Sequence, residues 1–220
     1  MLMKSGILSL LLVVLLAAPC AAQDGTAATP TAPTNAVTLG ILVDCSGSQR
    51  LQLDNMISAV KQIGETITES DRAFMVRFVD AGKISIVQEF TNNKAEIEET
   101  AESLFIEGGQ TAIIDAVDRS AQYVAKNDKD ATGSRVFIVI SDGEDRSSGK
   151  KADETIALLK ENQIKVFAIG LADLKVSTKL LDKFAKETGG KAFMPRNTSE
   201  LSNAVIAIAK MMRGAPNAVK

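Results

Sequence analysis

The sequence predicts an α/β domain: an open, mostly parallel sheet with helices on both faces. Three observations predict it. Short runs with near-continuously apolar centres alternate with longer stretches of helical period. One pair of runs is separated by only three residues, Asp80-Ala81-Gly82, so a hairpin interrupts the otherwise parallel pattern. The 220 residues are 45% hydrophobic and 24% charged, a globular composition that implies a packed core.

Thr38–Val43 (TLGILV) is the first strand, its centre apolar throughout as in a strand covered on both faces. Leu53–Thr68 follows as a helix, because Leu53, Met56, Ile57, Val60, Ile63, Gly64 and Ile67 share one face. Ala73–Val79 (AFMVRFV) is the second strand. Lys83–Phe90 (KISIVQEF) alternates Ile84 and Ile86 with a polar face, so it pairs antiparallel through the hairpin. Ala112–Ala125 is helical and Arg135–Ile140 (RVFIVI) is a strand. Ala152–Asn162 is helical, Lys165–Leu171 (KVFAIGL) is a strand, and Thr178–Glu187 and Glu200–Met212 are helices. The complete order is β-α-β-β-α-α-β-α-β-α-β-α. In such a sheet a site is expected beyond the carboxyl ends of the strands, where the strand order reverses.

The N-terminal residues follow a different logic. Lys4 precedes Ile7–Ala18, an apolar run broken only by Ser9 and ending in small residues, which reads as a secretory signal peptide over residues 1–22. A membrane span needs about 20 apolar residues, more than this run supplies, so cleavage is expected over retention as an anchor. Ala17-Ala18-Pro19-Cys20 resembles a lipobox, from which Pro19 departs, and lipid anchoring at Cys20 is the lesser alternative. The product is therefore expected to be secreted or periplasmic, with no membrane insertion of the mature domain. Residues 23–36, rich in Thr, Ala and Pro, read as a linker, 37–213 as the domain and 214–220 as a tail. About 180 residues then remain, enough to bury about 70% of the unfolded chain's surface.

Composition also excludes classes of chemistry. The absence of histidine removes Ser-His-Asp and Cys-His nucleophile systems, His-ligated zinc and an imidazole proton shuttle. A formal net charge of −2 argues against a nucleic-acid partner held by phosphate neutralisation. With Cys20 in the leader, Cys45 is left as the single thiol.

Two carboxylates end the two most apolar strands. Asp44 opens Asp44-Cys45-Ser46-Gly47-Ser48, and Asp142 opens Asp142-Gly143-Glu144-Asp145. Ser46 and Ser48 lie two apart around Gly47, a spacing that can turn both hydroxyls inward. Gly108-Gly109-Gln110-Thr111 supplies a third loop directly before a helix. Two acids and three hydroxyls suit a hard cation in octahedral geometry, Mg²⁺ or Mn²⁺, with Ca²⁺ a further candidate.

These residues resemble the metal-ion-dependent adhesion site of von Willebrand factor A-type domains, whose motif is Asp-x-Ser-x-Ser, a later Thr, and an Asp after the fourth strand. Asp44, Ser46, Ser48, Thr111 and Asp142 match it in order, and the resemblance covers about residues 37–213. The Gly-Gly-Gln-Thr run and the leader look most like bacterial secreted members. The resemblance implies a three-layer, doubly wound, Rossmann-like fold with a six-stranded sheet of order 3-2-1-4-5-6 and strand three antiparallel. It further implies that Ser46, Ser48 and Thr111 bind the metal directly while Asp44 and Asp142 act largely through water. An Asp or Glu carboxylate from a protein partner would then complete the octahedron. Movement of the Thr111 loop and the last helix would tune affinity.

Plainer roles compete at each position. Ser48 and Thr111 could be helix N-caps, worth about 1 kcal/mol each, and Asp142-Gly143 could be a strand-end turn. Glu144 and Asp145 read as solvated turn charges, Asp115 as an orienter of loop backbone, and Cys45 as turned away from the site by strand alternation. The expected function is therefore a non-enzymatic, metal-dependent protein-binding module. The alternatives are a Mg²⁺-dependent phosphohydrolase-like enzyme and a metal-free scaffold. Haloacid-dehalogenase-type phosphatases need a second Asp where this chain has Ser46, and no phosphate-binding P-loop is present.

Overall fold

A computed structural model describes residues 36–129 and 133–214. The expected leader, the linker up to residue 35 and the tail beyond Gly214 lie outside those residues. Six strands and six helices follow the predicted order. They are β1 (Val37–Asp44), α1 (Leu53–Glu65), β2 (Arg72–Phe78), β3 (Ile84–Thr91), α2 (Lys94–Glu102) and α3 (Ile113–Asn127). The chain continues through β4 (Ser134–Ser141), α4 (Ala152–Glu161), β5 (Ile164–Gly170), α5 (Thr178–Thr188), β6 (Ala192–Phe193) and α6 (Thr198–Met212).

The strands form one sheet in the order β3-β2-β1-β4-β5-β6. Only the β2–β3 pair is antiparallel. Both the order and the single reversal agree with the expectation. All eight residues of β1 are buried, because β1 is central and covered on both faces. β3 alternates exposed positions with half-buried ones after the buried Ile84, as suits an edge strand.

Side-chain alternation divides the core into two halves. Ile41, Val43 and Ile138 face Met56 and Ile63 of α1, Ile97 of α2 and Ile208 of α6. Leu42, Phe74, Phe137 and Val139 face Val117 of α3, Leu159 of α4 and Phe184 of α5. This is the three-layer arrangement. Gly40 makes the second half possible: a Cβ there would lie 2.7 Å from the rings of both Phe74 and Phe137. Those rings meet edge-to-face across β1, with centroids 5.9 Å apart.

Two elements lacked bounds in the sequence and one ended early. The second helix of the predicted pair is α2, started by Asn93, whose side chain accepts from the Ala95 amide. The sixth strand is only Ala192–Phe193. α1 stops at Glu65 rather than Thr68. Thr66 turns its hydroxyl back to the Ile63 carbonyl, and the β-branched run Thr66-Ile67-Thr68 leaves the helix. Among the described residues no helix is long and apolar enough to cross a membrane.

Asp71 closes the end of the sheet where the chain enters. It is buried and accepts hydrogen bonds from the Val37 amide at 2.8 Å, the Thr68 amide at 2.7 Å and the Thr68 hydroxyl at 2.8 Å. The Arg213 guanidinium, just after α6, adds donors at 2.6 and 3.2 Å. Burial pushes the Asp71 carboxyl up, but these donors outweigh it and hold the group below the ordinary carboxylate value. A depressed folded-state pKa contributes stability above the unfolded pKa and loses it as pH falls through the folded value. Asp71→Asn is therefore expected to cost about 2 kcal/mol in urea unfolding at neutral pH. The gap from wild type should close progressively as the pH drops below about 4.

Candidate functional site

The parallel register aligns Val43 with Ile140, which sets Asp44 beside Ser141 at the carboxyl edge and brings the Asp142 loop next to the Asp44 loop. Asp44 is fully buried. Its Oδ1 accepts from the Ser46 amide at 3.0 Å and its Oδ2 from the Ser141 hydroxyl at 2.7 Å. Burial pushes its carboxyl up from the ordinary 3.8 to about 6. The Ser141 and Ser46 hydrogen bonds restrain that rise and the neighbouring charge of Asp142 adds to it. Asp142 is also buried; its Oδ1 accepts from the Glu144 amide at 2.9 Å, the turn geometry expected of Asp-Gly.

Beyond Asp44 the backbone keeps to the sheet for one more residue, with the Cys45 amide donating to the Phe78 carbonyl at 2.8 Å. It then enters a short 3₁₀ turn over Gly47–Gln49. Ser46 Oγ lies 3.2 Å from Ser48 Oγ, and the Thr111 hydroxyl donates to Ser46 Oγ at 2.9 Å. Three hydroxyls from two loops thus form one chain in front of the Asp44 carboxylate.

Thr111 is held from both sides. The Ala112 amide donates to the Val79 carbonyl, and the Thr111 carbonyl accepts from the Arg146 and Ser147 amides at 2.8 and 3.0 Å. Upstream, the Glu107 amide donates to the Cys45 carbonyl at 2.9 Å. Between these pins Gly109 has φ +154°, and a Cβ there would come within 2.6 Å of Val79. Only glycine fits this passage past the end of β2.

The donor set fits a small hard cation. Octahedral Mg²⁺ with bonds of 2.0–2.1 Å places adjacent ligand oxygens about 2.9 Å apart. The Thr111–Ser46 and Ser46–Ser48 oxygen separations of 2.9 and 3.2 Å are close to such edges. Among the described residues no group of three His, Cys, Asp or Glu side chains gathers to hold a metal. A cation here would thus meet neutral hydroxyls, with the two carboxylates close by. All five residues picked out from the sequence converge on this one edge.

Several plainer assignments change. Neither Ser48 nor Thr111 caps a helix, since the N-cap positions of α1 and α3 are Gln52 and Ala112. Asp145 is not merely a solvated turn charge: its Oδ1 accepts from the Ile114 amide at 3.2 Å and the Ser148 hydroxyl at 2.6 Å, capping α3 from another loop. Glu144 is exposed and pairs with Arg146. Asp115 does orient loop backbone, accepting from the Gly149 and Lys150 amides at 2.9 and 2.8 Å. Cys45 packs in the core with Val43 and Val79, and burial pushes its thiol up to about 12. Ser141 is a contributor not anticipated from the motif. Its signal was positional: it stands level with Asp44 on the same face of the neighbouring strand.

The model of the von Willebrand factor type A domain matches residues 39–206. The chain belongs to that family. Solved structures share the VWA fold. An aerotolerance-related membrane protein from Bacteroides fragilis aligns at 20% identity and TM-score 0.64, over 80% of this chain and all of its own. BatB from Bacteroides thetaiotaomicron aligns at 19% identity and TM-score 0.66, over 81% of this chain and all of its own. A von Willebrand factor type A protein from Catenulispora acidiphila aligns at 23% identity and TM-score 0.64, over 80% of this chain and 42% of its own. No curated protein matches.

The raised pKa of Asp44 gives the VWA domain a measurable signature. A group whose folded pKa lies above its unfolded value contributes stability below the unfolded pKa and loses it as pH rises through the folded one. In chelator, wild type is therefore expected to lose stability relative to Asp44→Asn as pH rises from 3.8 to about 6. Parallel urea midpoints for the two proteins across that window would contradict the assignment.

Proposed function

We propose that this VWA domain is a divalent-cation-dependent protein-binding module of adhesion type. The observation that carries the proposal is the chain of three hydroxyls, Thr111–Ser46–Ser48, in front of two buried carboxylates at the carboxyl edge. Ser46, Ser48 and Thr111 would hold the ion directly, with Asp44 and Asp142 acting on it through water. Mg²⁺ or Mn²⁺ matches the spacing best, and Ca²⁺, with longer bonds, is a competitor. Bound there, the ion would supply an electrophilic position for an Asp or Glu carboxylate of a protein partner.

The protein's own part is to position and to desolvate. Asp44 fixes the Ser46 backbone, Ser141 fixes Asp44, and the doubly bonded Thr111 carbonyl fixes the third hydroxyl. Neutral hydroxyls leave a cation's charge poorly quenched, which favours an anionic ligand from outside. A binding role is preferred to hydrolysis because no imidazole exists in the chain and Ser46 occupies the place of a second aspartate. The apolar leader Ile7–Ala18 supports a secreted or periplasmic location, with lipid anchoring at Cys20 as the lesser alternative.

Isothermal titration of Mg²⁺ and Mn²⁺ tests the proposal. Wild type should take up one ion, with uptake lost in Thr111→Ala and Asp142→Ala while both variants keep the wild-type circular dichroism. Absence of uptake by wild type, even with an excess of a glutamate-containing peptide, would overturn it. Turnover of a phosphate ester that vanishes in Asp44→Asn would instead favour the enzyme alternative.

A further inference from the structure

A groove of about 610 Å³ lies between the β5–α5 loop and the β6–α6 loop, ended by Gln52 and Asn55 at the start of α1. Its volume is within the range of about 300–1,000 Å³ typical of ligand sites. Leu171, Val176, Met194 and Leu201 give it apolar walls. Gly170 lets them close, because a Cβ there would collide with Met194 and come within 2.6 Å of Val176.

The rim has a distinct chemistry. Lys175 and Arg196 line the groove, are exposed, and form no ion pair among the described residues. Arg50, two residues before Gln52, is exposed and without an ion pair among the described residues. The one carboxylate of the lining, Asp173, accepts from the neutral Gln52 side chain at 2.8 Å and keeps its negative charge. Glu200 also reaches this rim, accepting from the Arg196 amide at 2.9 Å, so Arg50, Lys175 and Arg196 stand against Asp173 and Glu200, a positive excess of one on a chain of formal net charge −2. Leu174 on the same rim is 100% exposed and Leu51 is 75% exposed. An apolar partner side chain seated in the groove would cover Leu174.

From this we infer that the groove docks an acidic segment of a protein partner, carboxylates on Lys175 and Arg196 and an apolar side chain in the groove against Leu174. Charge complementarity selects this occupant. The chain's own segments outside the described residues at its two ends carry a single acid, Asp24, and so do not match it. The inference extends the proposed function without depending on it, since none of the five oxygen-bearing residues lines the groove.

Fluorescence anisotropy with labelled dodecapeptides, performed on the full chain in chelator, tests it apart from any ion. The probes alternate Glu with Leu, Lys with Leu, or Glu with Ser. The Glu–Leu peptide should bind at least about tenfold tighter than either control, as expected where charge and apolar contact both contribute. Lys175→Glu with Arg196→Glu should weaken it at least about tenfold, and Leu174→Ser several-fold, with Tm unchanged. Equal binding of the Lys–Leu peptide, no binding, or indifference to the double substitution would overturn the inference. So would tighter binding of a peptide of residues 23–35, or a dimer in solution dissolved by the double substitution, because the occupant would then be the chain itself. Failure of the Mg²⁺ titration leaves these outcomes unaffected, and their failure leaves the titration unaffected.

Discussion

The carboxyl edge depends on one acid that water cannot reach. Asp44 ends the central strand, fully buried, and its two oxygens are bonded in two directions: one to the loop that follows and one to the neighbouring strand. An ionised carboxylate in such a place is costly unless hydrogen bonds or a cation balance it. Two hydrogen bonds leave the group well above its ordinary pKa, so the fold keeps an unmet demand for positive charge at the strand-order switch. The hydroxyls of Ser46, Ser48 and Thr111 gather where that demand is felt. If the proposed cation binds, stability of the metal-free domain and affinity for the ion would be opposed at a single residue.

The loops around this acid fall into two groups. The Thr111 and Asp142 loops are joined through the Thr111 carbonyl, through Asp145 on α3, and through Asp115 on the Gly149 and Lys150 amides. The Ser46–Ser48 turn instead leans towards β5 and α1: Gln49 reaches the Leu171 carbonyl at 3.4 Å, and Gln52 reaches Asp173. Across the divide stand the side-chain contacts Thr111 to Ser46 and Ser141 to Asp44, with backbone bonds from the Glu107 amide to the Cys45 carbonyl and from the Leu171 amide to the Ser141 carbonyl. A ligand that favours a different spacing of the hydroxyls would therefore shift one packed group against the other rather than bend a single loop.

Much of this was legible in the sequence, for physical reasons. Apolar runs such as FIVI read as strands covered on both faces, and the three-residue link Asp80-Ala81-Gly82 as a hairpin, so the fold class followed. Four of the five candidate residues could be picked out because strand ends are where an open α/β sheet exposes side chains, and Thr111 because a Gly-rich loop precedes it. What escaped depends on register and tertiary contact. Ser141 gains its role only when β4 is aligned with β1, and Asp145 caps a helix that begins more than thirty positions earlier. Two residues of β6 are too few for periodicity to show. The N-cap assignments for Ser48 and Thr111 failed because the chain spends several residues in a 3₁₀ turn before α1 and places Ala112 at the cap of α3.

Asp71 binds the Val37 amide and Arg213 together, so the described chain enters and leaves the domain at one point, at the opposite end of β1 from the hydroxyls. Between that point and Ser46 lies only the length of β1, about 26 Å for eight strand residues. Tension between polypeptide preceding Val37 and a partner gripped at Ser46 and Ser48 would run along the covalent backbone of one strand. β1 is flanked by β2 and β4, so drawing it out would shear both parallel ladders at once instead of unzipping them pair by pair. If the proposed partner bound there, β1 would act as a central rod carrying load from the hydroxyl edge to the Val37 end.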